Sequence, residues 1–149
     1  MSRPNPLNYA YNRLSRRMLS IKEMERALHS KGYANEEIEN TLRKLIETGL
    51  LDDIVLAQNL YRQYTGKKFA GPSLLKNIMY KREIACEAIS FAMRDYGEEK
   101  EREVFELFLQ RISRTNPYNK QKIVRQIQRK GFSSKYIKEI LFTTSEEIE

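Results

Sequence analysis

Residues 24–42 read MERALHSKGYANEEIENTL, and residues 123–141 read IVRQIQRKGFSSKYIKEIL. Laid in register, both carry an apolar residue at the first, fifth, tenth, fifteenth and nineteenth positions. A Lys-Gly pair stands between the halves in each, at Lys31-Gly32 and Lys130-Gly131. Residues 75–93, LKNIMYKREIACEAISFAM, repeat the apolar positions with Leu75, Met79, Ile84, Ile89 and Met93, and put Arg82-Glu83 where the others have Lys-Gly. Apolar residues four apart share one face of a helix. A glycine can close a helix in the left-handed conformation without strain. Each segment therefore predicts a helix, a tight turn and a second helix. The turn positions are 51 and then 48 residues apart, which marks an internal repeat. At Glu83 the middle turn must avoid the left-handed conformation or accept strain.

Outside these segments the pattern stays helical. The chain of 149 residues has only six glycines and four prolines, and three- and four-residue apolar spacing runs nearly throughout. A first helix is expected over 7–17. Ser20 and Glu23 have capping-box spacing for a second helix ending at Gly32. Asn35 is expected to cap a third, which stops near Gly49. Asp52 or Asp53 caps a helix over 54–64, and a basic loop covers 65–71. Pro72 fits the first turn of the next helix, where its missing N–H costs nothing. Further helices are expected over 85–96, 98–112, 119–130 and from Ser133 or Ser134 to 142. The expectation is an all-α chain of three tandem three-helix repeats, helix-turn-helix-like, forming an elongated curved array. Its parts are a flexible lead-in over 1–6, modules over 7–50, 51–97 and 98–142, and an acidic tail over 143–149. One unit of about 50 residues buries little surface alone, so neighbours should share their cores.

Charge is unevenly spread. The net charge is +7. Residues 54–82 hold Arg62, Lys67, Lys68, Lys76, Lys81 and Arg82 and no acid. Residues 111–138 hold nine basic residues and again no acid. Between them Glu98, Glu99, Glu101, Glu103 and Glu106 read as a solvated helix start. Long acid-free stretches point to an anionic partner such as nucleic acid. The candidate contacts are Arg62, Lys67, Lys68, Lys76, Lys81 and Arg82, with Lys120, Lys122, Arg125, Arg129 and Lys130. Tyr61, Tyr64, Phe69, Tyr80 and Tyr118 interleave with them and are read chiefly as core, though such rings also stack on unpaired bases.

Catalytic chemistry finds no support. His29 is the one histidine, and a lone histidine does not assemble a metal site. Cys86, the one cysteine, excludes an internal disulfide and reads as a small, partly buried residue. Asp52 and Asp53 are neighbours and do not face each other on a helix. Gly66 and Gly71 lack phosphate-loop spacing. No apolar run is long enough to span a membrane. The reading is a non-enzymatic binding protein with no metal or other cofactor, cytoplasmic and monomeric.

Several motifs resemble the RecX family of regulatory proteins. Gly49-Leu50-Leu51-Asp52-Asp53 followed by Ala57 resembles the motif that opens its middle module. Gly71-Pro72-Ser73-Leu74-Leu75 resembles its Gly-Pro turn into a basic helix. Lys31-Gly32-Tyr33 and Lys130-Gly131-Phe132 resemble its repeated turns. The likeness runs from about residue 9 to 141; Glu83, and Leu56 where a phenylalanine is common, depart from it. The resemblance implies three tandem three-helix modules whose geometry is set by Gly32, Asp52, Asp53, Gly71, Pro72 and Gly131. It also implies binding to the RecA recombinase filament, with reduced ATP hydrolysis, strand exchange and co-protease activity. Non-specific binding of single- or double-stranded DNA, and a place in DNA repair, recombination and the SOS response, go with it. The residues alone leave two rivals: a stand-alone DNA-binding protein of helix-turn-helix-like modules, or a helical adaptor for an acidic protein.

Overall fold

The computed structural model describes residues 3–115 and 119–142. Among them the chain is helical, with no strand: α1 Pro6–Leu14, α2 Ile21–Lys31, α3 Asn35–Glu47, α4 Asp53–Gly66, α5 Pro72–Lys81, α6 Cys86–Met93, α7 Glu98–Thr115, α8 Lys120–Arg129 and α9 Ser134–Phe142. They form three successive three-helix repeats. The expected tail over 143–149 lies outside the described residues, as does Tyr118.

Local chemistry explains most ends. Asn5 Oδ1 accepts from the Leu7 N–H at 2.8 Å and starts α1, with Pro6 in its first turn. The α2 capping box is reciprocal: Ser20 Oγ accepts from the Glu23 N–H, and Glu23 Oε1 accepts from the Ser20 N–H. Gly32 closes α2 at φ +92°. Asn35 is not the α3 cap. It is the first helical residue; Ala34 precedes it, and Glu37 reaches back to accept the Ala34 N–H at 3.2 Å. Asp52 Oδ1 accepts from the Ile54 and Val55 N–H groups and caps α4. Glu83 accepts strain: its φ is +55°, and its carboxylate pairs with Arg26 at 2.5 Å.

Two compact units result. The first comprises Met1–Asn59 and Met79–Phe91, the second Leu60–Ile78 and Ala92–Glu149. In the first, Ala10, Leu19, Met24, Leu28, Tyr33, Ile38, Leu45 and Leu51 form one buried cluster. Fully burying a leucine or methionine contributes about 1.5–3 kcal/mol. Arg82 is half-buried and binds Glu23 through two nitrogens and the Met18 carbonyl at 2.7 Å. Burial would raise the Glu23 carboxyl; the Arg82 hydrogen bond, the Ser20 N–H and the charges of Arg82 and Arg17 outweigh it and hold the group below its ordinary value.

In the second unit, Val104, Phe105, Phe108, Ile112, Ile123, Ile127, Phe132 and Tyr136 are buried together. Their rings meet at tilted or edge-on angles, as between Phe105 and Phe132 at 5.4 Å, a favoured aromatic geometry. The repeat's last apolar position does not keep one role. Met93 is buried and Leu42 partly so, but Leu141, one residue before the end of α9, is 54% exposed.

Candidate nucleic-acid interface

The second unit carries most of the candidate cations, and its geometry starts at two glycines. At Gly131 φ is +76°, and the carbonyls around it face the start of α5. The Gly71 N–H donates to the Lys130 carbonyl at 2.6 Å, and the Ser73 N–H to the Gly131 carbonyl at 3.3 Å. The unpaired donors at the head of α5 thus meet the unpaired acceptors at the tail of α8. A side chain at Gly71 would lie 2.5 Å from the Gly131 carbonyl carbon, and one at Gly131 would meet Leu74 Cβ at 2.7 Å. Pro72 opens α5 without needing a donor. In the first unit Arg3 takes the matching place: its guanidinium donates to the Lys31 and Gly32 carbonyls at the tail of α2.

The basic loop before Gly71 is tied to the same corner. Lys130 Nζ donates to the Lys68 carbonyl at 2.6 Å. Burial, and then the Lys68 charge, lower the Lys130 pKa. Lys68 Nζ stands 4.8 Å from the centre of the Tyr64 ring, and the Arg111 guanidinium 5.9 Å from that of Phe69. Both are cation–π distances. Phe69 itself leans on Phe108 at 6.4 Å. Lys67, Lys68, Arg111 and Arg114 are exposed.

On α8 the cations fall into a stripe. At 3.6 residues per turn, Lys122, Arg125 and Arg129 lie within about 60° of one another. All three are exposed, while Ile123 and Ile127 face the core, and no acid stands on the helix. Lys120, at the start of the helix, is half-buried and stands off that stripe. On α5, Lys76 and Lys81 are exposed, as is Arg62 on α4. Arg82 is bound within the first unit, as described above. Tyr61 is half-buried and pairs edge-on with Tyr96 at 5.7 Å; Tyr80 is 56% exposed.

Two further groups are not marked by the sequence. Arg111 and Arg114 were counted within the acid-free stretch but not singled out; their place beside Phe69 depends on the loop's tertiary position. Asp53 and Glu101 are buried acceptors. Asp53 takes the N–H groups of Ile21 and Ala85, so it does not cap its own helix. Glu101 takes the Ser133 N–H and hydroxyl, and at 5% exposure it is no solvated residue. Both bonds to the following repeat helix span 32 residues, and that equality was the available signal. Cys86 is exposed instead of partly buried. Among the described residues no group of three or more His, Cys, Asp or Glu is placed to hold a metal ion, and no helix is long and apolar enough to cross a membrane.

Comparison with known proteins shows what this architecture resembles. The profile of the RecX first three-helix domain matches residues 7–45. A protein named Regulatory protein RecX from Stenotrophomonas maltophilia is 29% identical over 136 residues, covering 89% of this chain and 83% of its own. Over most of its length the chain is thus similar to regulatory proteins of the RecX family. Another Regulatory protein RecX, from Halalkalibacterium halodurans, is 28% identical over 137 residues, and this chain spans about half of its length, 52%. The crystal structure of RecX from Lactobacillus salivarius superposes with a TM-score of 0.77 at 24% identity, covering 96% of this chain and 94% of that one. That likeness gives the three-repeat RecX fold a solved counterpart.

Proposed function

We propose that this RecX-like chain binds the RecA recombinase on its nucleoprotein filament and modulates it, inhibiting its ATPase, strand-exchange and co-protease activities. Similarity over most of the chain to proteins named Regulatory protein RecX carries the reading. The cationic stripe on α8, a helix without an acid, supports it. A RecA filament presents DNA phosphates beside protein, and Lys122, Arg125 and Arg129 on α8, with Lys67 and Lys68, supply the matching charge. Such contacts act through phosphate and are indifferent to sequence. Contacts at separate repeats would add through high local concentration. Gly32, Gly71, Pro72, Gly131, Asp52 and Asp53 set the geometry of the modules and touch neither partner.

The test is the single-stranded-DNA-dependent ATPase of the cognate RecA, titrated with this protein. Inhibition below stoichiometric ratios is expected. The triple reversal Lys122→Glu, Arg125→Glu, Arg129→Glu should raise the half-inhibitory concentration about tenfold, since each lost phosphate contact weakens binding. An unchanged ATPase rate at severalfold excess of folded protein would reject the inhibitor reading. Retention on DNA in that case would make the chain a stand-alone DNA-binding protein.

A further inference from the structure

The loop carrying Phe69 holds that residue in a conformation that aromatic side chains rarely adopt, φ +51°. Four bonds keep it there. The Lys67 N–H donates to the Gln63 carbonyl at 3.1 Å, and the Ala70 N–H to the Tyr64 carbonyl at 2.8 Å. Tyr96 Oη donates to the Ala70 carbonyl, and Lys130 Nζ to that of Lys68, both at 2.6 Å. Strain held in place by its surroundings is a reason to look for function there. Beside Phe69 lies a shallow cavity of about 330 Å3, lined by Phe69, Leu107, Gln110, Arg111 and Arg114. That volume is at the low end for small-molecule pockets, about 300–1,000 Å3. The lining has one aromatic ring, an aliphatic wall, an amide that both donates and accepts, two guanidinium groups and no carboxylate.

We infer that the Phe69 cavity takes an unpaired base of a single-stranded nucleic acid, with Arg111, Arg114 and Lys68 on the flanking phosphates. An aromatic face and an aliphatic wall suit the two faces of a base. The Gln110 amide suits a base edge, which offers donors and acceptors. Single strands are bound in this way, by rings beneath bases and cations along the backbone. A duplex keeps its bases stacked on each other and cannot offer one. The chain should therefore prefer single strands, a distinction that the charge stripe on α8 alone would not make. The inference deepens the proposed function and rests on its taking nucleic acid as a partner.

The test uses the full chain without recombinase, at fixed salt, by fluorescence anisotropy. Three labelled probes of equal length are compared: an oligo(dT), an abasic strand with the same phosphates, and a duplex. The oligo(dT) should bind about tenfold tighter than the abasic strand. Phe69→Leu, which keeps apolar packing against Phe108, should remove that tenfold and leave the abasic affinity unchanged. Arg111→Gln with Arg114→Gln should weaken both strands alike. Equal affinity of the unsubstituted chain for oligo(dT) and the abasic strand would overturn the inference, whatever the fate of Phe69→Leu as a folded protein. Because RecA is absent, that failure would leave the ATPase result untouched, and an ATPase failure would leave this one readable.

Discussion

Neither Gly71 nor Gly131 has room for a β-carbon: one at Gly71 would strike the Gly131 carbonyl, and one at Gly131 would strike Leu74. Gly131 adds a left-handed φ of +76°. A methyl there would cost about 1–2 kcal/mol in backbone strain alone, and it would also collide with Leu74. Gly131→Ala is therefore expected to destabilise the protein by at least about 2 kcal/mol in urea titration. Gly97 is the control: a β-carbon there meets nothing within 4 Å, so Gly97→Ala should stay within about 0.5 kcal/mol. Equal effects of the two would show that the glycine contact carries no energy. The repeat register marked Gly131 as a turn glycine. Its need for the Gly71 backbone could not be read, because the two are 60 residues apart and neither has a side chain to signal the contact.

Helix ends show what one-dimensional reading can and cannot reach. Ser20 with Glu23, and Gly32, were legible because their partners lie within three or four residues. At α3 the same rule misled: Asn35 is a preferred cap type, yet Glu37 satisfies the Ala34 N–H and shifts the start by one residue. The buried carboxylates went unread for a different reason. Local spacing gave Asp53 and Glu101 adequate explanations near their own helices, while their partners sit 32 residues on. Glu101 is now the sharper test. It takes two hydrogen bonds from Ser133 while buried, and removing a charged acceptor strands both donors. Glu101→Ala should cost about 2 kcal/mol by thermal or urea unfolding. Glu103, which is 61% exposed and pairs with Lys100 at 3.6 Å, belongs to the same helix. Glu103→Ala should change stability by about 0.5 kcal/mol or less. If the two substitutions cost the same, the capping of α9 by Glu101 is not a stabilising contact.

Over the whole molecule the net charge is +7, yet its basic side chains are not equivalent. Some hold the fold: Arg82 on Glu23 and Met18, Arg3 on the tail of α2, Lys130 on the Lys68 carbonyl. In composition they are indistinguishable from the exposed Lys122, Arg125 and Arg129, and only their tertiary contacts separate the two kinds. The separation has a measurable consequence in salt. Each phosphate contact on a single strand contributes about −0.7 to the slope of log K against log salt. Replacing Lys122, Arg125 and Arg129 together by glutamine should therefore shallow the slope for oligo(dT) by about 2, with the melting temperature little changed. Replacing Arg82 by glutamine should do the reverse, lowering the melting temperature while leaving the slope within error, because its charge is bound to Glu23. A slope that does not move with the α8 stripe would place the phosphate contacts on other cations, with the loop at Lys67 and Lys68 next in line. A slope that moves with Arg82 would mean that its ion pair opens when the strand arrives.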